Sequence, residues 1–417
     1  VSSPVPGTPG DGPAAGGRRA KAPRLYALDA LRLIAALMVA AFHLMAYNGP
    51  GWTYPVQIVF PDAHAVAYYG WTGVQLFFLI SGFVICMSCW GKSVGEFAVS
   101  RVTRLYPAYW FAVLAAASAL WLFPGVRDAP TLSGLAVNLT MFQDPLGVDR
   151  VDSVYWSLWA EMRFYLLFAL VAWRGLTYRR LVVFCLGWAT AGMLAAKMDN
   201  GLFRAVVMPE HCWYFIAGIA LYLIHRFKPN VLLWGIVAGC FLLGQHFLIA
   251  AHASNRRYAG VSMPLWPAAL LVAAAFVAMA AVAVGMTDRI SWRRLPLVGA
   301  LTYPFYLLHE DIGWIFIRHM EHRMHPYAVL AVLFPALLAA SWLVHRWIER
   351  PLGRRLRRTL HTGLEEMRFY SRAIPSLESL DRESLDRESL DRDSLEKRSP
   401  GGPARGSGDT SPLHGGG

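Results

Sequence analysis

Apolar runs of roughly 20 residues recur along this chain, separated by short polar or basic connections, and no other feature restricts its fold as much. A backbone in hydrocarbon has no water to satisfy its N–H and C=O groups, so each run must close its own hydrogen bonds as a helix. Ten runs are legible, at about 29–47, 71–90, 107–123, 153–173, 181–197, 212–226, 231–251, 263–286, 296–317 and 325–348. Hydrophobic residues make up 56% of the 417 and charged residues 16%, too little charge for a soluble domain of this size. The expected fold is all-α: a polytopic helical membrane protein with about ten transmembrane helices, multi-pass in the cell (plasma) membrane, with the lipid bilayer around it.

The net charge of +12 comes from Lys and Arg scattered through short connections and tails. No single basic face is built, so nucleic acid is not expected as a partner. Arg18, Arg19, Lys21, Arg24, Lys92, Arg101, Arg104, Arg174, Arg179 and Arg180 all fall on one side of the ten-helix threading, and the positive-inside rule makes that side cytoplasmic, together with both termini. Residues 1–26 read as a disordered basic cytoplasmic tail, with no cleavage site of a signal peptide. Residues 27–352 form the transmembrane domain. Residues 353–417 read as a cytoplasmic, largely disordered tail, in which 379–398 repeat the unit S-L-D-R-E. A period of five matches neither 3.6 nor 3.5, so it forms no continuous apolar seam. The five cysteines sit in or at apolar segments without paired loop spacing. Neither a disulfide framework nor a metal site is expected from them.

Chemistry is carried by the few ionisable groups inside the apolar runs, where such groups are costly and face a partner or a water-filled space. In DALRLIAALMVAAFHLMAY (29–47), Arg32 and His43 are eleven residues apart. That is three turns plus roughly 20°, so both lie on one helix face about 16 Å apart. In FAVSRVTRLYPAYW (97–110), Arg101 and Arg104 share a face of a short helix, two forked guanidiniums beside aromatic residues, and Pro107 is expected to open the third span. In DSVYWSLWAEMRFYLL (152–167), Ser153, Ser157, Glu161 and Tyr165 follow i+4 spacing, and a carboxylate at that depth needs a partner: Arg163, His43 or His309. In LTYPFYLLHED (301–311), Pro304 invites a kink, and Thr302, Tyr306 and His309 share a face. With these boundaries His43, Glu161 and His309 converge on one depth from three helices. His246, at similar depth, reads as a packing histidine, and Ser81-Gly82 as a small-residue helix contact. Ten helices with buried charges also fit a membrane transporter or lipid-linked flippase, although no internal repeat or matched pair of broken helices supports that class.

Across residues 27–352, LDALRLIAALMVAAFH, GVQLFFLISGFVI, RVTRLYPAYW, YWSLWAEMRFYL, LTYPFYLLH and WIERP occur in an order and spacing that resembles acyltransferase family 3. Gln75 and Ala30 depart from the acidic residue and the glycine common there. The resemblance implies a membrane O-acyltransferase with an acyl-CoA co-substrate, most simply acetyl-CoA, and a hydroxylated acceptor: a sugar, a cell-envelope glycan or a glycosylated small molecule. It also implies functional roles for Arg32, His43, Arg101, Arg104 and Glu161. On this reading Arg32, Arg101 and Arg104 hold the donor phosphates. His43 is the general base, Glu161 fixes its tautomer, and His309 binds the acceptor or polarises the carbonyl. A covalent acyl group on His43 is an open alternative.

Overall fold

A computed structural model of the chain describes residues 25–370, apart from 261 and 293, together with residue 387. The basic N-terminal segment through residue 24 and the S-L-D-R-E repeat, except residue 387, lie outside the described residues. Contacts divide the chain into one unit through Leu356 and a second from Arg357. Residues 357–370 of the second unit are helical.

The first unit is a helical bundle with no strand among the described residues. Its main helices are α1 (Tyr26–Met45), α2 (Gly73–Cys89), α3 (Val94–Leu122), α4 (Trp156–Trp173), α5 (Tyr178–Lys197), α6 (Cys212–Phe227), α7 (Val231–Ala259), α8 (Trp266–Ala283), α9 (Leu295–Leu308), α10 (Asp311–Met320) and α11 (Pro326–Val344). Among the described residues eight helices are long and apolar enough to cross a membrane. The two remaining expected spans are also helical. One, α4, carries Glu161 and Arg163, and the other, α9, has only 14 residues. The chain is thus an all-α polytopic membrane protein, and each of the ten apolar runs has its helix.

The centre of the bundle is α6, whose residues Cys212 through Ile224 are all buried. An apolar surface suits lipid tails as well as protein, so the enclosure of α6 is set by its packing against neighbouring helices. Gly82 of α2 and Gly218 of α6 meet there. A Cβ on either would collide with the backbone of the other helix, so the small-residue contact expected at Ser81-Gly82 is present.

Three helix boundaries depart from the sequence expectation, each for a local reason. Pro107 lies inside α3 rather than at its start, because Ser93 and Glu96 form a capping box that begins the helix at Val94. The carbonyl that Pro107 leaves without its helical donor is that of Thr103. Gly353 packs against that oxygen, and a Cβ there would stand 3.1 Å from it. The ninth span is not one helix over 296–317. It ends at Leu308 and resumes at Asp311, with Pro304 one turn before the break. The last span runs from α11 into a π-turn at His345–Glu349. Pro351 follows it. It has no N–H to offer and would clash with the carbonyl four residues back in a regular helix, and a widened turn relieves that clash.

Candidate active site

Four of the six residues singled out from the sequence line one cavity. It has a volume of about 120 Å³ and lies between α1, α2, α3, α4 and α9, with Arg32, Arg101, Arg104 and Glu161 in its wall. The capping-box start of α3 makes Arg101 and Arg104 part of a continuous helix, which holds both side chains toward the bundle. Arg101 lies 5.9 Å from the ring centroids of both Phe97 and Tyr165, and Arg104 lies 5.9 Å from that of Tyr303. These stacks hold guanidinium planes on aromatic faces. Arg32 is 3.8 Å from Asp29, one turn earlier on α1. Arg104 forms an ion pair with Glu349.

Glu161 is not paired with His43, His309 or Arg163. It accepts hydrogen bonds from Ser81 Oγ and Tyr165 OH, both at 2.6 Å. Arg163 turns away, donating to the Ala205 carbonyl and lying over the Trp159 ring. The four-residue spacing along α4 and the turn before it nevertheless puts its whole row toward the site. Ser153 donates to Glu310, Ser157 meets Tyr306 OH at 2.7 Å, and Tyr165 holds Glu161. Depth alone does not decide which groups touch.

His43 and His309 do come together, with Nδ1 of His43 3.0 Å from Nε2 of His309. The carboxylate beside them is Glu310, 3.9 Å from His43 Nε2. The break between α9 and α10 produces this arrangement, because it frees His309 and Glu310 from one helical spiral and directs them to a common neighbour. Tyr306 separates the histidines from the cavity. Its ring is 5.5 Å from that of His309, and Tyr306 and Ser157 both line the cavity.

The hydrogen bonds assign the tautomers. His309 Nδ1 is 2.8 Å from the Tyr306 carbonyl, which only accepts, so Nδ1 of His309 carries its proton. A neutral His309 then offers a lone pair at Nε2, and His43 must donate to it from Nδ1. The lone pair of His43 is left on Nε2. That atom has no hydrogen-bond partner among the described residues, and the His43 side chain is 15% exposed whereas His309 is fully buried. The pair therefore presents one accessible basic nitrogen facing a carboxylate.

Glu310 is itself fully buried and accepts from Ser153 Oγ and the Val154 N–H. Next to it Asp311 pairs with Arg127, and Asp152 accepts from the Asp311 N–H. Glu310, Arg127 and Asp152 were not singled out from the sequence. The available signal was the acidic pair immediately after His309 at the end of an apolar run. His246 is exposed and meets the edge of Phe247. Gln75 hydrogen-bonds the carbonyls of Thr72 and Trp71 and lines a separate space with Glu210 and His211. All five cysteines are free and buried.

Comparison with known proteins adds two matches to this geometry. A family model described as an acyltransferase domain matches residues 25–346. Acyltransferase MdmB of Streptomyces mycarofaciens is 27% identical over 379 residues, covering 80% of this chain and 93% of that protein. No solved structure matches the chain.

Proposed function

The chain belongs to the acyltransferase domain family, acyltransferase family 3, and on that premise we propose that it moves an acyl group, most simply acetyl, from a cytoplasmic acyl-CoA to a hydroxyl of a sugar, cell-envelope glycan or glycosylated metabolite. The observation that carries this reading is the cavity with three arginines at one end and the histidine pair beyond the other. A polyanionic head and a thioester on an extended arm need just such a separation of charge from base. Arg32 and His43, one at each end, are about 16 Å apart along α1. The positive-inside orientation puts the arginine end at the cytoplasm, where acyl-CoA is available, and His43 toward the outer half, in the plasma membrane.

In this mechanism Arg101, Arg104 and Arg32 bind the donor phosphates, and Glu161 with Ser81 and Tyr165 lines the path of the arm. The acceptor hydroxyl gives its proton to His43 Nε2 as its oxygen attacks the thioester carbon. The tetrahedral intermediate collapses by breaking the carbon–sulfur bond. The departing coenzyme A thiolate takes the proton from the imidazolium, which restores the base. Glu310 faces the positive charge while it exists, and His309 holds His43 in the tautomer that leaves Nε2 basic. His309 therefore takes the tautomer-fixing role expected of Glu161, and Glu310 balances the charge.

The donor assignment is tested by Arg101→Ala and Arg104→Ala. Each lost charge-assisted phosphate contact is expected to cost about 1.5–3 kcal/mol, seen as a rise in the donor KM with the acceptor KM unchanged. An unchanged donor KM in both variants leaves these arginines with the positive-inside orientation alone.

A further inference from the structure

The cavity arginines are already balanced before any donor arrives. Three cations, Arg32, Arg101 and Arg104, stand against three carboxylates: Glu161 in the wall, Asp29 beside Arg32, and Glu349 on Arg104. Glu349 differs from the other two in its second partner. Its other oxygen is 2.9 Å from His345 Nδ1, which must donate because a carboxylate only accepts. The carboxylate is 7% exposed and the histidine ring is buried. Both sit on the π-turn at His345–Glu349, closed by the Arg350 N–H bonding the His345 carbonyl. Single π-turns inside α-helices are rare and concentrate at functional positions. Close packing of Gly353 on the Thr103 carbonyl, one residue before Arg104, keeps this turn registered against α3.

Resting on the reading of Arg104 as a donor-phosphate ligand, we propose that Glu349 is an exchangeable counter-ion for Arg104. The donor phosphate displaces Glu349 from Arg104, and His345 retains the displaced carboxylate on the π-turn. Glu349 is a positioning residue that acts through Arg104. Before binding, Glu349 holds the partly exposed guanidinium in place, and the pairing compensates its own buried carboxylate. On binding, the carboxylate keeps one hydrogen bond, so it is not stranded. The exchange sets a threshold that a diphosphate-bearing donor passes and a thioester lacking phosphates does not use.

The test is direct binding of coenzyme A and of pantetheine, which has no phosphates, to the purified full-length protein. Glu349→Gln is expected to lower the Kd for coenzyme A several-fold and to leave that for pantetheine unmoved. A purely structural ion pair predicts no tightening, and an unchanged or raised Kd for coenzyme A overturns the proposal. If Glu349→Gln does not insert, His345→Phe decides, because it keeps a ring and removes the donor. Without the histidine N–H the displaced carboxylate has no partner, so coenzyme A must bind several-fold more weakly, and an unchanged Kd overturns the proposal. Arg104→Ala separates the two readings. If it leaves coenzyme A affinity intact, the donor assignment of Arg104 has failed. If it weakens binding while Glu349→Gln does not tighten it, only the exchange has failed.

Discussion

Single residues decide what the site can do, and the tautomer chain is the clearest case. One backbone carbonyl, that of Tyr306, fixes the proton on His309 Nδ1, and this propagates through the 3.0 Å contact to leave His43 basic at Nε2. Glu310→Gln keeps the shape of the side chain and removes the charge facing an imidazolium. Turnover is expected to fall roughly 10²–10³-fold. Combined with His43→Ala, it should cost little more than the single loss, because residues that act as a unit are not additive. Losses that multiply in steady-state kinetics show that Glu310 does not serve His43. Arg32, His43, Glu161 and His309 stand out in the sequence because an ionisable group in an apolar run is itself the signal, and Arg101 and Arg104 because they share a helix face beside aromatics. Their pairing does not. Glu161 and His43 match in depth, but Glu161 is held by Ser81 and Tyr165, and depth along a helix carries no information about rotation between helices.

At the scale of elements, the site depends on helices that are interrupted where regular ones were expected. The break after Leu308 brings Glu310 to His43, and the π-turn brings Glu349 to Arg104. Pro304 marks the first disturbance in the sequence, and Pro351 carries a signal for the second that the apolar pattern did not reveal. Their outcome depended on neighbours that periodicity does not reveal. The extension of α3 back to Val94 was legible in principle from Ser93 and Glu96, a capping box, and it was hidden by Pro107, which also suits a helix start. The contact of α2 with α6 rests on Gly82 and Gly218. Gly82→Val should destabilise the bundle by about 1–3 kcal/mol through overpacking, read as a lower unfolding midpoint in detergent. An unchanged midpoint shows that the two helices separate without cost.

At the scale of the whole molecule, the ten apolar runs are helical because hydrocarbon permits no other solution for the backbone, and eight of the helices among the described residues are long and apolar enough to cross a membrane. What composition could not supply is the enclosure of α6, since the more apolar α8 is mostly left outside the core. Orientation is argued from Lys and Arg bias and is open to a simple check, since the native cysteines are all buried and give little background. Asp128, in a connection, and Arg179, in the first turn of α5, are exposed on opposite sides of the threading. In intact cells an impermeant maleimide should label Asp128→Cys and not Arg179→Cys. The reverse pattern would place the arginine end of the cavity outside, away from cytoplasmic acyl-CoA. The central claim is acyl transfer with His43 as base, and it is tested by incubating the purified protein with radiolabelled acetyl-coenzyme A. Wild type should turn the donor over, and His43→Ala should bind it with similar affinity while its turnover drops about 10²–10⁴-fold. Near-normal turnover by His43→Ala, or none by wild type even with hydroxylated acceptors present, would contradict the account.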